Sequence, residues 1–171
     1  EDGAAFSFKA AKDKGITTFY DLPSGYWRTK IEILDAQKSA YPQWESTING
    51  LMDSQEKLRR KDREIELADR IFVASRFTAE SLKSYPGKLP PVNIIPYGFP
   101  DVSDSVEAKN ITAGAPVKLL FVGSLSQQKG LANLFEAAEF LGNKVALTVV
   151  GRKSNNACDA LNTGLTKHQW I

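Results

Sequence analysis

Residues 121–141 read FVGSLSQQKGLANLFEAAEFL, and their pattern indicates the fold class of the chain. Its apolar beginning is typical of a buried strand, which ends at Gly123. After a short polar loop, Lys129 and Gly130 precede an apolar pattern of helical spacing, which predicts a helix over residues 130–141. The order of strand, loop and helix indicates one unit of an α/β sheet with a lysine where the helix begins.

The same alternation of strands and helices continues on both sides of this stretch. Toward the N-terminus the sequence predicts a helix over 3–14, a strand over 16–22, helices over 26–40 and 43–69, a strand over 70–75, a helix over 76–85 and a strand over 92–99. Further on it predicts strands over 117–123 and 145–151, a weak helix near 157–165 and an incoming strand. Such alternation favours α/β architecture, with Rossmann-like parallel sheets and flanking helices.

Residues 100–116, PDVSDSVEAKNITAGAP, are polar and lack periodicity, which is typical of a linker. We therefore expect residues 1–99 to belong to one domain and residues 117–171 to a second. The chain starts at Glu1 without a methionine and stops at Ile171 within a predicted strand. We expect it to be a fragment of a longer protein.

Composition excludes several classes of function. Among 171 residues, 42% are hydrophobic and the formal net charge is +2, which gives no support for nucleic acid or an anionic membrane as the main partner. One cysteine and one histidine exclude an intramolecular disulfide and a Cys/His zinc cluster within this chain. No signal peptide and no apolar run of about 20 residues are visible, so the default expectation is a cytoplasmic protein.

The position of Lys129 has a direct chemical meaning. A helix N-terminus presents backbone N–H groups and the positive end of the helix dipole, so it attracts anions such as phosphate or diphosphate. The loop is not a Walker A motif, because Gln128 and not glycine precedes the lysine, and it lacks the dinucleotide fingerprint. A solvated loop with an ordinary surface lysine fits the same spacing, so spacing alone does not decide between the two.

Several stretches resemble, in the same order, the group 1 glycosyltransferases (glycosyltransferase family 4). They are ELADRIFVAS (66–75), VNIIPYGF (92–99), the stretch at 121–141 and VALTVVGRK (145–153). The family has A-D-x-(apolar)-x-x-x-S, then V-I-P-N-G, then V-G and K-G before a helix, then L-x-I-V-G. The resemblance covers about residues 60–151.

The resemblance implies a two-domain GT-B fold, of which this chain would hold the end of the N-terminal domain and the start of the C-terminal domain. Members transfer a sugar from a nucleotide-sugar donor, with retention and without an essential metal or cofactor. In them the lysine of K-G contacts the donor diphosphate, a role that carries over to Lys129. Gly123, Ser124 and Gly130 would lie near the same phosphates.

The chain departs from the family pattern at several positions. The arginine that often follows V-G is Ser124, and the asparagine of V-I-P-N-G is Tyr97, beside Gly98. A histidine of the acceptor domain is matched by Asp21, which either orients an acceptor hydroxyl or caps the following helix. Gly98 and Gly151 are further cleft candidates, since glycine lets a ligand approach the backbone closely.

The family's E-x(7)-E element, which holds the donor sugar, should lie beyond Ile171. We therefore expect this chain to be catalytically inactive by itself. Two alternatives stay open: a GT-B phosphorylase or epimerase, and a non-catalytic nucleotide- or sugar-binding module. The sequence does not indicate the donor sugar, its base, or whether the acceptor is a sugar, a lipid-linked glycan or a polysaccharide.

Tyr26 and Trp27 could stack on an acceptor, although aromatic residues at such spacing are more often part of a core, which is the favoured interpretation. Self-association of the fragment through open sheet edges is also expected.

The basic run EKLRRKDREIE (56–66) has two interpretations. It could contact an anionic membrane, which would place the protein at the inner face of that membrane, or an acidic acceptor. Acidic residues interleave the run, so a solvated helix face with i,i+4 ion pairs is the favoured interpretation.

Overall fold

The computed structural model of the chain describes residues 3–49, 53–101 and 114–171. Its α-helices are α1 (Ala4–Asp13), α2 (Trp27–Ala40), α3 (Gln55–Leu67), α4 (Arg76–Ser81), α5 (Leu131–Leu141) and α6 (Asp159–Thr166). Its strands are β1 (Phe19–Leu22), β2 (Arg70–Val73), β3 (Val92–Ile94), β4 (Val117–Val122), β5 (Val145–Val150) and β6 (Gln169–Trp170). Short 3₁₀-helices cover Pro42–Thr47, Leu82–Ser84, Gln127–Lys129 and Gly142–Lys144.

The described residues form two compact units. The first unit lies within Glu1–Ile33 and Met52–Asp101, and the second within Leu34–Leu51 and Val102–Ile171. Each unit holds one parallel three-stranded sheet, with the order β1-β2-β3 in the first and β4-β5-β6 in the second. Helices connect the strands, so the expected α/β class with Rossmann-like parallel sheets is confirmed.

The core of the first unit lies between α3 and its sheet. Ile65 of α3 and Ile71 of β2 are almost completely buried, and Tyr20 and Leu22 of β1 belong to the same cluster. Alternate residues of β1 and β2 face this core, which is the pattern expected of a sheet with a helix on that face.

A buried carboxylate joins three elements of the first unit. Glu64 of α3 is fully buried and accepts hydrogen bonds from the Ala4 amide at 2.9 Å and from the Tyr20 hydroxyl at 2.8 Å. Because a buried carboxylate needs such donors, Glu64 fixes α1 and β1 against α3.

Asp69 joins the starts of the two neighbouring strands β1 and β2. Its carboxylate accepts the Thr18 backbone N–H at 2.8 Å and pairs with Lys12. The Lys12 ammonium, and then the Thr18 amide, lower the pKa of Asp69 to about 2. The aspartate of ELADRIFVAS therefore has a structural role in this unit.

The predicted long helix over residues 43–69 is wrong. Pro42 begins a 3₁₀-helix that ends at Thr47, and Ile48 is extended. The α-helix starts only after Ser54, whose side chain accepts the Lys57 N–H as an N-cap. Residues 50–52 of the predicted helix lie outside the described residues.

The described residues 34–49 belong to the second unit, although the sequence predicts that they belong with residues 1–99. The indole of Trp44 lies 5.8 Å from the ring of Phe135 on α5, centroid to centroid. Cys158, at the start of α6, has its thiol sulfur 3.5 Å from the Gln43 carbonyl oxygen. Most of the predicted linker, residues 102–113, lies outside the described residues.

The core of the second unit lies between its sheet and the helices α5 and α6. Its buried members on these elements are Leu131, Ala132, Phe135, Ala138, Leu147, Val149, Leu161 and Leu165. In the described part of the chain, no helix has the length and apolar character needed to cross a membrane.

The Asp69 link predicts a specific acid sensitivity. Because folding lowers the pKa of Asp69 from an ordinary 3.8 to about 2, its contribution is complete above pH 4 and is lost as pH falls through 2. We expect Asp69→Asn to lower the free energy of unfolding at neutral pH and to reduce its decline between pH 4 and pH 2. Urea unfolding measured across this range checks both effects.

The exposed Asp13, which pairs with Lys9 on α1, provides the control variant Asp13→Asn. An unchanged pH slope in Asp69→Asn would contradict the assigned role.

Candidate functional site

The first candidate site is the Lys129 loop, residues 123–130, at the carboxyl ends of β4 and β5. These strands pair in register through Val122 and Val150. Beyond them the Gly123 amide donates to the Val150 carbonyl at 3.0 Å, and the Leu125 amide donates to the Arg152 carbonyl at 2.8 Å. Ligands of parallel α/β sheets bind at this end of the strands, so the loop lies where a ligand is expected.

Gly151 allows the Lys129 loop to approach the end of β5. A Cβ atom at Gly151 would lie only 1.8 Å from the Gly123 carbonyl oxygen. From the sequence, Gly151 is expected to let a ligand approach the backbone closely. In the structure the backbone of the Lys129 loop fills the space beside Gly151, so this glycine allows the loop to pack against the end of β5.

Gln127 holds the Lys129 loop in place from inside the second unit. It is 1% exposed, and its side-chain amide donates to Gln37 Oε1 and Asn133 Oδ1, both at 2.8 Å. Its side-chain carbonyl accepts the Ala132 N–H of α5 at 2.8 Å. Its backbone N–H donates to the Thr47 hydroxyl at 3.0 Å. Gln127 could not be selected from the sequence, because one polar residue in a polar loop gives no periodic signal.

Lys129 lies in the turn that precedes α5. It ends a 3₁₀-helix, and Gly130 then adopts φ +71°, a left-handed conformation that favours glycine. The Lys129 side chain is exposed and forms no ion pair with any residue that the structure describes.

The start of α5 offers fewer free N–H groups than the sequence suggests. The Lys129 amide donates to the Ser126 carbonyl, the Gly130 amide to the Gln127 carbonyl, and Gln127 caps Ala132. An anion at this place would therefore be attracted mainly by the lysine charge.

Arg152 lies beside the loop and was not selected from the sequence. Leu125 and Lys153 form a parallel bridge, so the preceding residues Ser124 and Arg152 are neighbours on the opposite side of the backbone. Both are exposed, and Arg152 forms no ion pair with a described residue. A positive charge is therefore present in the segment that follows β5, close to Ser124.

The second candidate site is the Asp21 groove, at the carboxyl ends of the strands of the first unit. It has a volume of about 400 Å³ and is lined by Asp21, Phe72, Val73, Ala74, Ile95, Pro96, Tyr97 and Gly98. Two sequence candidates that are far apart in the chain, Asp21 and Gly98, thus line one groove.

Asp21 is the acidic group of this groove. It is exposed on β1 opposite Phe72 of β2, and no described residue donates a hydrogen bond to it. The alternative that Asp21 caps the next helix is not supported, since α2 begins only at Trp27. A carboxylate in a mainly apolar groove is a suitable acceptor for a ligand hydroxyl.

Tyr26 does not line the Asp21 groove. It is 2% exposed and belongs to the core of the first unit, as the favoured interpretation predicted. Its hydroxyl donates to Asp62 at 2.7 Å, and burial followed by this hydrogen bond raises its pKa.

Comparison with known proteins does not identify a family: no protein-family model matches the chain, and no curated protein matches it either.

The contact of Gly151 with the Gly123 carbonyl predicts that substitutions at Gly151 and at Gly98 differ in their effect on thermal stability. We expect Gly151→Ala to lower Tm by at least about 5 °C, because its Cβ has no room beside the Gly123 carbonyl. Gly98→Ala is the matched control, since a Cβ there meets no heavy atom within 4 Å. Thermal unfolding followed by circular dichroism measures both, and equal Tm values would contradict the assigned packing role.

Proposed function

We propose that this protein transfers a sugar from a nucleotide-sugar donor to an acceptor, and that the Lys129 loop binds the donor diphosphate. The observation that carries the proposal is an exposed lysine without an ion pair among described residues, fixed at the carboxyl end of a parallel sheet. The ordered resemblance to group 1 glycosyltransferases supports the same role for this lysine.

The chemistry requires charge compensation on the leaving group. As the glycosidic bond to the donor breaks, negative charge builds on the departing diphosphate, and a fixed ammonium stabilises it more in the transition state than in the ground state. Lys129 supplies this charge in the proposal. The Ser124 hydroxyl donates a neutral hydrogen bond, and the guanidinium of Arg152 supplies a second positive charge from the segment that follows β5.

The first unit provides a candidate acceptor site in this proposal. The carboxylate of Asp21 would accept a hydrogen bond from an acceptor hydroxyl, and the exposed ring of Tyr97 would contact the apolar face of a sugar. Retention of configuration and independence from metal rest on the family resemblance.

Nucleoside diphosphate binding tests the proposed role of Lys129. We expect the chain to bind at least one of UDP, GDP and ADP, with Lys129→Ala weakening the association constant at least about tenfold, because a charge-assisted hydrogen bond is lost. Isothermal titration calorimetry at fixed ionic strength gives these constants.

Lys144 provides the matched control. It is also an exposed lysine, but it lies in the 3₁₀-helix that follows α5, whereas Lys129 lies at the start of α5. Lys144→Ala should bind as the unmodified chain does, and Arg152→Ala should show an intermediate loss. Equal constants for Lys129→Ala and Lys144→Ala would refute the phosphate role, and so would the absence of binding to all three nucleotides.

A further inference from the structure

The Asp21 groove of the first unit combines one carboxylate with an otherwise mainly apolar lining. Phe72, Val73, Ile95 and Pro96 supply most of its apolar surface, and no basic residue of the described part of the chain lines it. The negative charge of Asp21 therefore lies in a groove that offers it no counter-charge from those residues. A ligand that supplies the missing positive charge would be complementary to this groove.

The charge of Asp21 is available to a ligand. Asp21 is exposed on β1 and forms neither an ion pair nor a hydrogen bond with a described residue. Arg70 lies on the same face of the neighbouring strand, but it is in register with Phe19 and does not line the groove. A carboxylate has about four acceptor positions on its two oxygens, so a single ligand hydroxyl would leave most of them unused and the charge uncompensated.

Two aromatic rings of the groove favour the same sign of charge. Phe72 is the register partner of Asp21, and its ring stacks on that of Phe19 with 5.5 Å between the centroids. Tyr97 also lines the groove, and its side chain is 67% exposed. The face of an aromatic ring carries negative potential, so it attracts a nearby cation and disfavours an anion.

We propose that the Asp21 groove binds an amino sugar, with the ammonium group on the Asp21 carboxylate and the apolar face of the ring against Tyr97. A neutral sugar lacks the ion pair, and a uronic acid would place two carboxylates close together, so charge selects among sugars of equal size. The choice of a sugar, and its role as the acceptor, rest on the proposed function. The preference for a positive charge rests on the groove alone.

Three phenyl glycosides of similar size test this preference. They are the glucosaminide, which is positive at about pH 6, the neutral glucoside and the negative glucuronide. We expect the full chain to bind the glucosaminide about fivefold more tightly than the glucoside, as suits a solvent-exposed ion pair, and the glucuronide most weakly. Titrations followed by ¹H–¹⁵N NMR give the constants, and the amides of Ala74 and Gly98 report whether the groove is occupied. Added salt should reduce the difference between the probes.

The variant Asp21→Asn keeps the shape of the side chain and removes its charge. We expect it to bind the glucosaminide no more tightly than the glucoside, while the constant for the glucoside changes less than about twofold. Glu32 provides the matched control, because it is an exposed carboxylate on α2 of the same unit and does not line the groove. Glu32→Gln should bind all three probes as the unmodified chain does.

A second pair of variants tests the aromatic contact. Tyr97→Ala should weaken the binding of all three probes, whereas Phe6→Ala should not, because the 79% exposed ring of Phe6 lies outside this groove. Circular dichroism verifies that every variant folds.

Several outcomes would overturn the proposal. They are equal constants for the three probes, tighter binding of the glucuronide, equal losses in Asp21→Asn and Glu32→Gln, and the absence of glucosaminide binding. A failure of the proposed function gives a different result, because the nucleotide titrations with Lys129→Ala decide it separately. Glucosaminide binding by a chain that binds no nucleotide would support the charge preference of the groove and remove the acceptor role.

Discussion

The second unit depends on one buried amide, the side chain of Gln127. Gln127 lies in the loop after β4. Its side chain connects this loop to α2 through a hydrogen bond to Gln37, and to the first turn of α5 through hydrogen bonds to Asn133 and Ala132. An apolar side chain of similar size would leave these donors and acceptors unpaired inside the protein, which costs more than the hydrogen bonds contribute. The position of Lys129 follows from this network, because the lysine lies two residues further along the same turn.

Local patterns were sufficient to predict most of the fold. Apolar runs that end in glycine marked β4 and β5, and helical spacing marked α5, because these elements bury one defined face. The break in the predicted helix over 43–69 was missed since Leu58 and Ile65 continue an apolar stripe, while the cap at Ser54 lies within the same polar context. The packing of residues 34–49 within the second unit depends on long-range contacts such as that of Trp44 with Phe135, which leave no local signature.

The candidate sites could be predicted only in part, because local patterns indicate where strands end but not which groups lie beside them. Asp21 and Gly98 were selected through the family resemblance, which aligned both with the ends of predicted strands. Asp21 lies in β1 and Gly98 beyond β3, and the ends of parallel strands meet at one edge of a sheet. Glycine itself is ambiguous: Gly151 accommodates neighbouring backbone and not a ligand, and only the position of the Gly123 carbonyl distinguishes the two. Charge patterns are ambiguous in a similar way. In α3, Glu66 pairs with Arg63 and Asp62 pairs with Arg28, as the interleaved charges predict. Glu64 has the same charge but is buried, where it accepts a hydrogen bond from the Tyr20 hydroxyl.

The hydrogen bonds that backbone N–H groups already form at the start of α5 limit the kind of anion site that the Lys129 loop can provide. In a phosphate-binding nest, several backbone N–H groups converge on the anion and determine its geometry. Here the amides of Lys129, Gly130 and Ala132 already donate to the protein. In the proposed donor site, attraction would then come from the ammonium of Lys129 and from the guanidinium of Arg152, and the planar guanidinium is the group better suited to bind two phosphate oxygens together. Selectivity for a diphosphate over a single phosphate would therefore depend on Arg152 as much as on the lysine that the sequence pattern emphasises.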